Sequence, residues 1–191
     1  MRFLGISGSL RRQSLNTAAL RACTKLLPSG VTLDLADISA IPLYNEELRE
    51  QGLPASVQSL REQILAADAL VIATPEYNYA MPGVLKNTID WASRPPSQVF
   101  EGKPIALMSA SPGGFGGARA QYQLRQVFIY LNGLVLNRPE AMISAAHTKF
   151  DAQGELTDTA ASDQLKALLA ALADWTRLIS AGQAAIRKAQ P

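Results

Sequence analysis

Three stretches of this sequence combine residue types that could do chemistry. The first, GISGSLRRQSLNT (Gly5 to Thr17), sets the hydroxyl and amide groups of Ser9, Ser14, Asn16 and Thr17 around Arg11 and Arg12. Leu15, Ala18, Ala19, Ala22 and Leu26 then recur at helical spacing, and Pro28-Ser29-Gly30 should stop that helix. The N–H groups opening the helix near Leu15 have no intrahelical acceptors and carry the positive end of its dipole. That arrangement suits a phosphate, and Arg11 can add a charge-assisted contact. The same residues also allow a simpler reading, in which Ser14 or Asn16 caps the helix beside a solvated arginine pair. The glycine spacing excludes two other phosphate loops, because neither G-x-x-x-x-G-K-[ST] nor G-x-G-x-x-G occurs. Ser7-Gly8-Ser9 stands where a receiver domain would need acidic residues.

The second stretch is TPEYNYAMPGVLKNTIDWASRP, Thr74 to Pro95. Pro75 and Pro82 stiffen the turn, and Tyr77 and Tyr79 place aromatic rings on it. Main-chain groups of such a loop can line the edge of a flat heterocycle while the tyrosines support its face. Glu76 could serve as a catalytic acid, but a carboxylate in a turn is more often structural, bonded to backbone or paired with an arginine such as Arg94; Trp91 reads as a core or interface residue. The third stretch, SASPGGFGGAR (Ser109 to Arg119), holds four glycines, which permit close approach of backbone to a ligand. Cys23 falls in a helical pattern and reads as a packing residue. His147 is the one histidine and reads as solvated or structural; no cluster of metal ligands accompanies it.

These loops need a frame. Arg2–Ser7, Val31–Asp37, Ala69–Ala73, Ile105–Met108 and Leu134–Leu136 read as strands, the last resuming at Ala141–Ile143. Val31–Asp37 alternates as an edge strand does, whereas ALVIA at 69–73 is apolar throughout, as for a strand covered on both faces. Helical patterns follow Pro54, Pro82 and Gly116, and a long one carries Leu165, Leu168, Leu169, Leu172, Trp175 and Ile179. A Pro- and Tyr-bearing loop is expected at Ile41–Asn45. Strand and helix alternate about five times, so the expected fold is one α/β domain over residues 1–191, a parallel sheet with helices on both faces. In such sheets ligands sit beyond the carboxyl ends of the strands, where the three unusual loops fall.

Composition narrows the function classes. The chain has 191 residues, 48% hydrophobic and 18% charged, with a net charge of +2. That supports one packed core and argues against disorder. Its charges are interspersed, which disfavours a nucleic-acid partner. No apolar run reaches the roughly 18 residues of a membrane span, so no membrane insertion is expected. The first residues read as a strand, not a leader. A lone cysteine fits a reducing cytoplasm.

The chain resembles the NAD(P)H-dependent FMN reductases of the flavodoxin-like superfamily, and more narrowly their bacterial quinone and chromate reductase branch. The likeness rests on G-S-L-R-x-x-S-x-N (Gly8 to Asn16), P-E-Y-N-Y-x-x-P-G-x-L-K-N-x-I-D-W (Pro75 to Trp91) and the G-G-x-R segment ending at Arg119. The resemblance implies a flavodoxin-like, five-stranded parallel sheet of order 2-1-3-4-5. It further implies that Ser9, Arg11, Ser14, Leu15, Asn16 and Thr17 hold the FMN phosphate. Pro75, Glu76, Tyr77 and Asn78 would run along the isoalloxazine, with Ser111, Gly113 and Gly114 closing its other side.

The implied activity is hydride transfer from NADPH or NADH to bound FMN. The electrons then pass to a small acceptor from the same face, in ping-pong order. Quinones, flavins, azo compounds and chromate are the acceptors implied. The cofactor carries the chemistry, so no catalytic acid or base is assigned. The family likeness implies a homodimer or homotetramer, with the Tyr-rich loop and the helix from Pro82 contributing to the interface. The rival is a flavodoxin-like electron carrier or flavin-binding stress protein without nicotinamide turnover. The near-neutral charge disfavours the carrier.

Overall fold

The computed structural model describes residues 1–189. Five strands run parallel: β1 (Arg2–Ser7), β2 (Thr32–Ala36), β3 (Ala69–Ala73), β4 (Pro104–Ala110) and β5 (Leu134–Val135), in the order β2-β1-β3-β4-β5. This is the flavodoxin-like order. A sixth strand, β6 (Ala141–Ile143), also pairs parallel with β4. The edge position beside β4 is therefore filled by two short strands: Ile105 pairs with Val135 and Met108 with Ala141. The β5–β6 stretch spends twice as many residues on that interval as β4 does, and Pro139, which has no N–H to give a ladder, lies in the excess.

The helices are α1 (Leu15–Thr24), α2 (Glu46–Glu50), α3 (Ala55–Ala66), α4 (Gly83–Ala92), α5 (Ala118–Tyr130) and α6 (Thr159–Ala189). Alternation along the buried strands decides which helix packs where. In β3, Ala69, Val71 and Ala73 face the cluster built with α1 and α6, while Leu70 and Ile72 face the one built with α3, α4 and α5. The first face is rich in alanine, with Ala106, Ala110 and Ala141 beside Met108, and the long helix α6 packs Leu165, Leu168, Leu169 and Leu172 onto it. The opposite face carries the larger Leu4, Ile6, Ile105 and Leu107, met by Leu60, Ile64, Leu85, Ile89 and Phe128. Each such side chain contributes about 1.5–3 kcal/mol on full burial.

Strand β4 runs from Pro104 to Ala110, beyond the Ile105–Met108 expected from sequence, while β2 and β5 are shorter than the expected Val31–Asp37 and Leu134–Leu136. Helix α1 ends at Thr24, four residues before Pro28, with the N–H of Lys25 donating back to Ala22 O and Cys23 O. The five-residue α2 was not expected. It is capped by Asn45, whose side chain accepts from Leu48 N, and it buries no side chain, so it leaves no periodic apolar signature.

Candidate functional site

The loops leaving β1, β3 and β4 meet at the carboxyl edge of the sheet and enclose a groove of about 230 Å³. Ser9, Arg11, Ser14, Leu15, Asn16, Pro75, Glu76, Tyr77 and Ser111 line it together with Ala110 and Pro112. Thr17, Asn78, Gly113 and Gly114 lie outside that lining. Ala110 and Pro112 were not singled out from the sequence, because an alanine ending a strand and a proline in a turn carry no chemical signal of their own.

In the first loop the capping reading is met by one of its two candidates. Ser14 is the cap of α1, its hydroxyl accepting from Thr17 N at 3.2 Å. Asn16 is buried and binds the backbone of β4 with both ends of its amide: Nδ2 donates to Ala110 O at 2.9 Å, and Oδ1 accepts from Ala110 N at 2.9 Å. The Thr17 hydroxyl shares a 2.7 Å hydrogen bond with that of Ser7. What remains open to a ligand is the main chain: the N–H groups of Leu15 and Asn16 meet no acceptor among the described residues. Arg11 is exposed and pairs with no carboxylate among the described residues.

The second loop turns tightly. Tyr77 and Ala80 exchange backbone hydrogen bonds of 3.0 and 2.9 Å, with Asn78 at φ 50° and Tyr79 at φ 68°. Two successive left-handed residues make this a type I′ turn. Asparagine tolerates that conformation; a tyrosine there costs roughly 1–2 kcal/mol. A compensating contact is in place, since the Arg119 guanidinium lies 4.0 Å from the Tyr79 ring centroid and 4.2 Å from that of Phe115.

Glu76 has the structural role expected of it, with a different arginine. Its Oε1 accepts from Arg119 Nη1 at 2.9 Å, and Oε2 accepts from the backbone N–H groups of Arg119 (3.0 Å) and Ala120 (3.3 Å). A carboxylate placed on the first N–H groups of α5 satisfies orphan donors and the helix dipole together. Arg94, the arginine named from sequence, instead donates Nε to Asp90 O at 3.0 Å, and its guanidinium sits 5.6 Å from the Tyr44 ring centroid. Arg94 lies in sequence at the far end of α4, a helix away from Glu76, whereas Arg119 opens α5 where the β3 and β4 loops converge. Trp91 is fully buried, donating Nε1 to Pro42 O at 2.9 Å, and Asn87 holds the same segment through Tyr44 N and Pro42 O.

The glycines of the third loop divide into two kinds. Gly116 and Gly117 have φ of +59° and +88°, and an added Cβ would come 2.9 Å from Met142 C and 2.7 Å from Ser109 Cβ. The fold itself needs those two. At Gly114 a Cβ would meet nothing within 4 Å, and at Gly113 only Ser111 Oγ at 3.6 Å, with φ positive at neither. No neighbour among the described residues demands glycine there, and the backbone of both is open to close approach.

Neither cysteine nor histidine is among the described residues that line the groove. Cys23 lies on the buried face of α1, donating to Met108 Sδ at 3.8 Å, and burial pushes its thiol up to about 12. No group of three or more His, Cys, Asp or Glu that could hold a metal exists among the described residues, and none of their helices is long and apolar enough to cross a membrane. The groups on offer are main-chain donors, a free guanidinium, hydroxyls and rigid loop edges. Such a set suits a phosphorylated flat heterocycle.

Comparison with known proteins agrees with this reading. The family model described as NADPH-dependent FMN reductase matches residues 1–148, so the chain belongs to that family, whose members are enzymes that use FMN with NAD(P)H as electron donor. The chain is 57% identical over 177 residues to an NAD(P)H-dependent FMN reductase of Pseudomonas aeruginosa, covering 93% of this chain and 96% of that one. It is 43% identical over 175 residues to a quinone reductase of Escherichia coli, covering 90% and 93% respectively. Among solved structures, FerB, a flavoenzyme NAD(P)H:(acceptor) oxidoreductase from Paracoccus denitrificans, is similar at a TM-score of 0.84 and 34% identity, covering 92% of this chain and 97% of that one.

Proposed function

We propose that the chain is a single flavin-binding unit that oxidises NADPH or NADH and reduces quinones or free flavins through bound FMN. Azo compounds and chromate extend the acceptor range. One observation carries the reading. The groove ends at the uncapped N–H groups of Leu15 and Asn16 beside an unpaired Arg11, and its remaining walls are loop edges held rigid by the Glu76–Arg119 and Asn16–Ala110 ties. These residues fit FMN. The α1 opening, Arg11 and the hydroxyls of Ser9 and Ser14 would take the phosphate, which is dianionic near neutral pH. Thr17 would support them through Ser7. Pro75, Glu76, Tyr77 and Asn78 would border the ring system on one side and Ser111, Gly113 and Gly114 on the other.

Bound FMN would supply an isoalloxazine able to accept a hydride and to give up electrons singly or in pairs. The chain's contribution is positional. Its helix opening would fix the phosphate, and the type I′ turn at Tyr77–Ala80 gives the second loop a defined backbone beside the groove. Donor and acceptor would then use one open face in turn, which is a ping-pong order. We further propose self-association as a homodimer or homotetramer in the cytoplasm. The exposure of Tyr77 and Tyr79, and of Tyr122, Ile129 and Tyr130 on α5, supports association.

Steady-state oxidation of NADPH with a soluble quinone tests this. Varying both substrates should give parallel double-reciprocal lines, and a flavin carrier without nicotinamide turnover would give no quinone-dependent oxidation.

A further inference from the structure

A second and larger groove opens on the other side of the α1 N-terminus. It measures about 610 Å³ and shares Arg11, Ser14, Leu15 and Pro112 with the flavin groove. Its basic side chains come from separate elements: Arg12 from the β1 loop, Arg21 one turn and a half along α1, and His147 from the turn after β6. Neither Arg12 nor Arg21 pairs with a carboxylate among the described residues. The one acidic residue on its wall, Asp151, is already engaged, with Oδ1 accepting from Gln153 N at 3.0 Å and Glu155 N at 2.8 Å. Leu15, Ala18, Pro112 and a half-buried Phe150 add an apolar part to the wall, and Gln13, Ser14 and Gln153 add uncharged polar groups.

A lone phosphate would leave most of this volume empty, and an uncharged apolar molecule would leave the guanidiniums unmatched. The combination calls for a flat, partly apolar body carrying more than one negative charge. Continuity with the flavin groove at Arg11 and Ser14 means that such a body can be the far half of a molecule whose near half lies over the flavin site. We propose that this groove binds the phosphorylated adenosine half of a dinucleotide, with Arg12 and Arg21 holding its phosphate groups and Phe150 and Pro112 bordering its base. Two dinucleotides present that chemistry: NADPH, through its 2′-phosphoadenosine, and FAD, through its adenylate. The inference rests on the reading of the neighbouring groove as the flavin site.

The test uses the full-length, FMN-loaded protein and the double variant Arg12→Ala/Arg21→Ala, whose two arginines are exposed and lie outside the flavin groove. Adenosine 2′,5′-bisphosphate is titrated calorimetrically into both. Binding to the parent and a loss of about tenfold or more in the variant are expected, with FMN affinity unchanged. Two arms separate the sources. If NADPH is the occupant, its KM rises about tenfold in the variant while kcat and the KM for NADH hold. If FAD is the occupant, the apoprotein binds FAD more tightly than FMN, and the variant loses that margin. A parent that binds no bisphosphate, or a variant unchanged in bisphosphate, NADPH and FAD affinity, overturns the proposal while leaving the flavin site intact. Failure of the parent to bind FMN would instead overturn the reading beneath it.

Discussion

Arg119 Nη1 donates to Glu76 Oε1 at 2.9 Å, joining the loop after β3 to the first turn of α5 across 43 positions of sequence. Glu76 is only 12% exposed, so the pair is shielded from the screening that reduces surface ion pairs to little value. Arg119, held from one side by this carboxylate, is also flanked by the Tyr79 and Phe115 rings. The geometry of the second and third loops thus hangs on one arginine.

Removing either partner leaves the other without its counter-charge. Glu76→Ala and Arg119→Ala should each cost about 1.5–3 kcal/mol, the range for hydrogen bonds to charged groups. The double variant should cost clearly less than the sum, because the shared contact is lost once. Urea unfolding of the four proteins checks this; strict additivity would mean that the two residues act independently.

Arg11 is the guanidinium left free at the opening of α1. Arg11→Ala should weaken FMN binding by about 1.5–3 kcal/mol while leaving the unfolding midpoint in place. Fluorescence titration of the apoprotein with FMN measures it. Unchanged affinity would remove Arg11 from the phosphate end of the groove.

Asn16 offers one donor and one acceptor to the backbone of Ala110 and is buried. Asn16→Asp keeps the acceptor but turns an oxygen toward Ala110 O, leaving a buried carbonyl unpaired against a negative charge. Destabilisation of about 1–3 kcal/mol is expected, the cost of an unsatisfied buried group. Thermal unfolding of the two proteins at neutral pH reports it, and equal midpoints would mean that the clamp contributes nothing.

Burial pushes the Cys23 thiol up to about 12, above its value in the unfolded chain. A raised acid of this kind lends stability that is complete below the unfolded pKa and declines as pH rises toward the folded one. Between pH 9 and 10.5 the wild type should therefore lose stability relative to Cys23→Ala, at a slope approaching about 1.4 kcal/mol per pH unit. Denaturant unfolding across that range gives the difference, and parallel pH profiles would contradict it. The native thiol should also resist alkylation at pH 7.5 until the protein is unfolded.

Much of this was legible in the sequence, because the signals were local. Continuous apolar runs at 69–73 and 105–108 marked strands buried on both faces, and prolines at 54 and 82 marked helix starts. The three polar or glycine-rich loops pointed to the edge where the groove lies. Pairings made at long range stayed hidden. Nothing in sequence spacing distinguishes Arg94 from Arg119 as the partner of Glu76, since the choice depends on which helix opens beside β3. Asn16 looked like one more phosphate donor until β4 was in place to occupy its amide. The division of glycines between Gly113-Gly114 and Gly116-Gly117 likewise appears only when neighbours such as Met142 and Ser109 are known.

The central claim, that the loop groove holds a flavin which a nicotinamide reduces, is tested most directly by an anaerobic NADPH titration of the FMN-loaded, desalted protein, followed at the yellow flavin band. The account predicts that the band stays with the protein through desalting, bleaches rapidly with about one equivalent of NADPH, and returns on adding a quinone. A band that persists after NADPH, or colour lost on the desalting column, would contradict it.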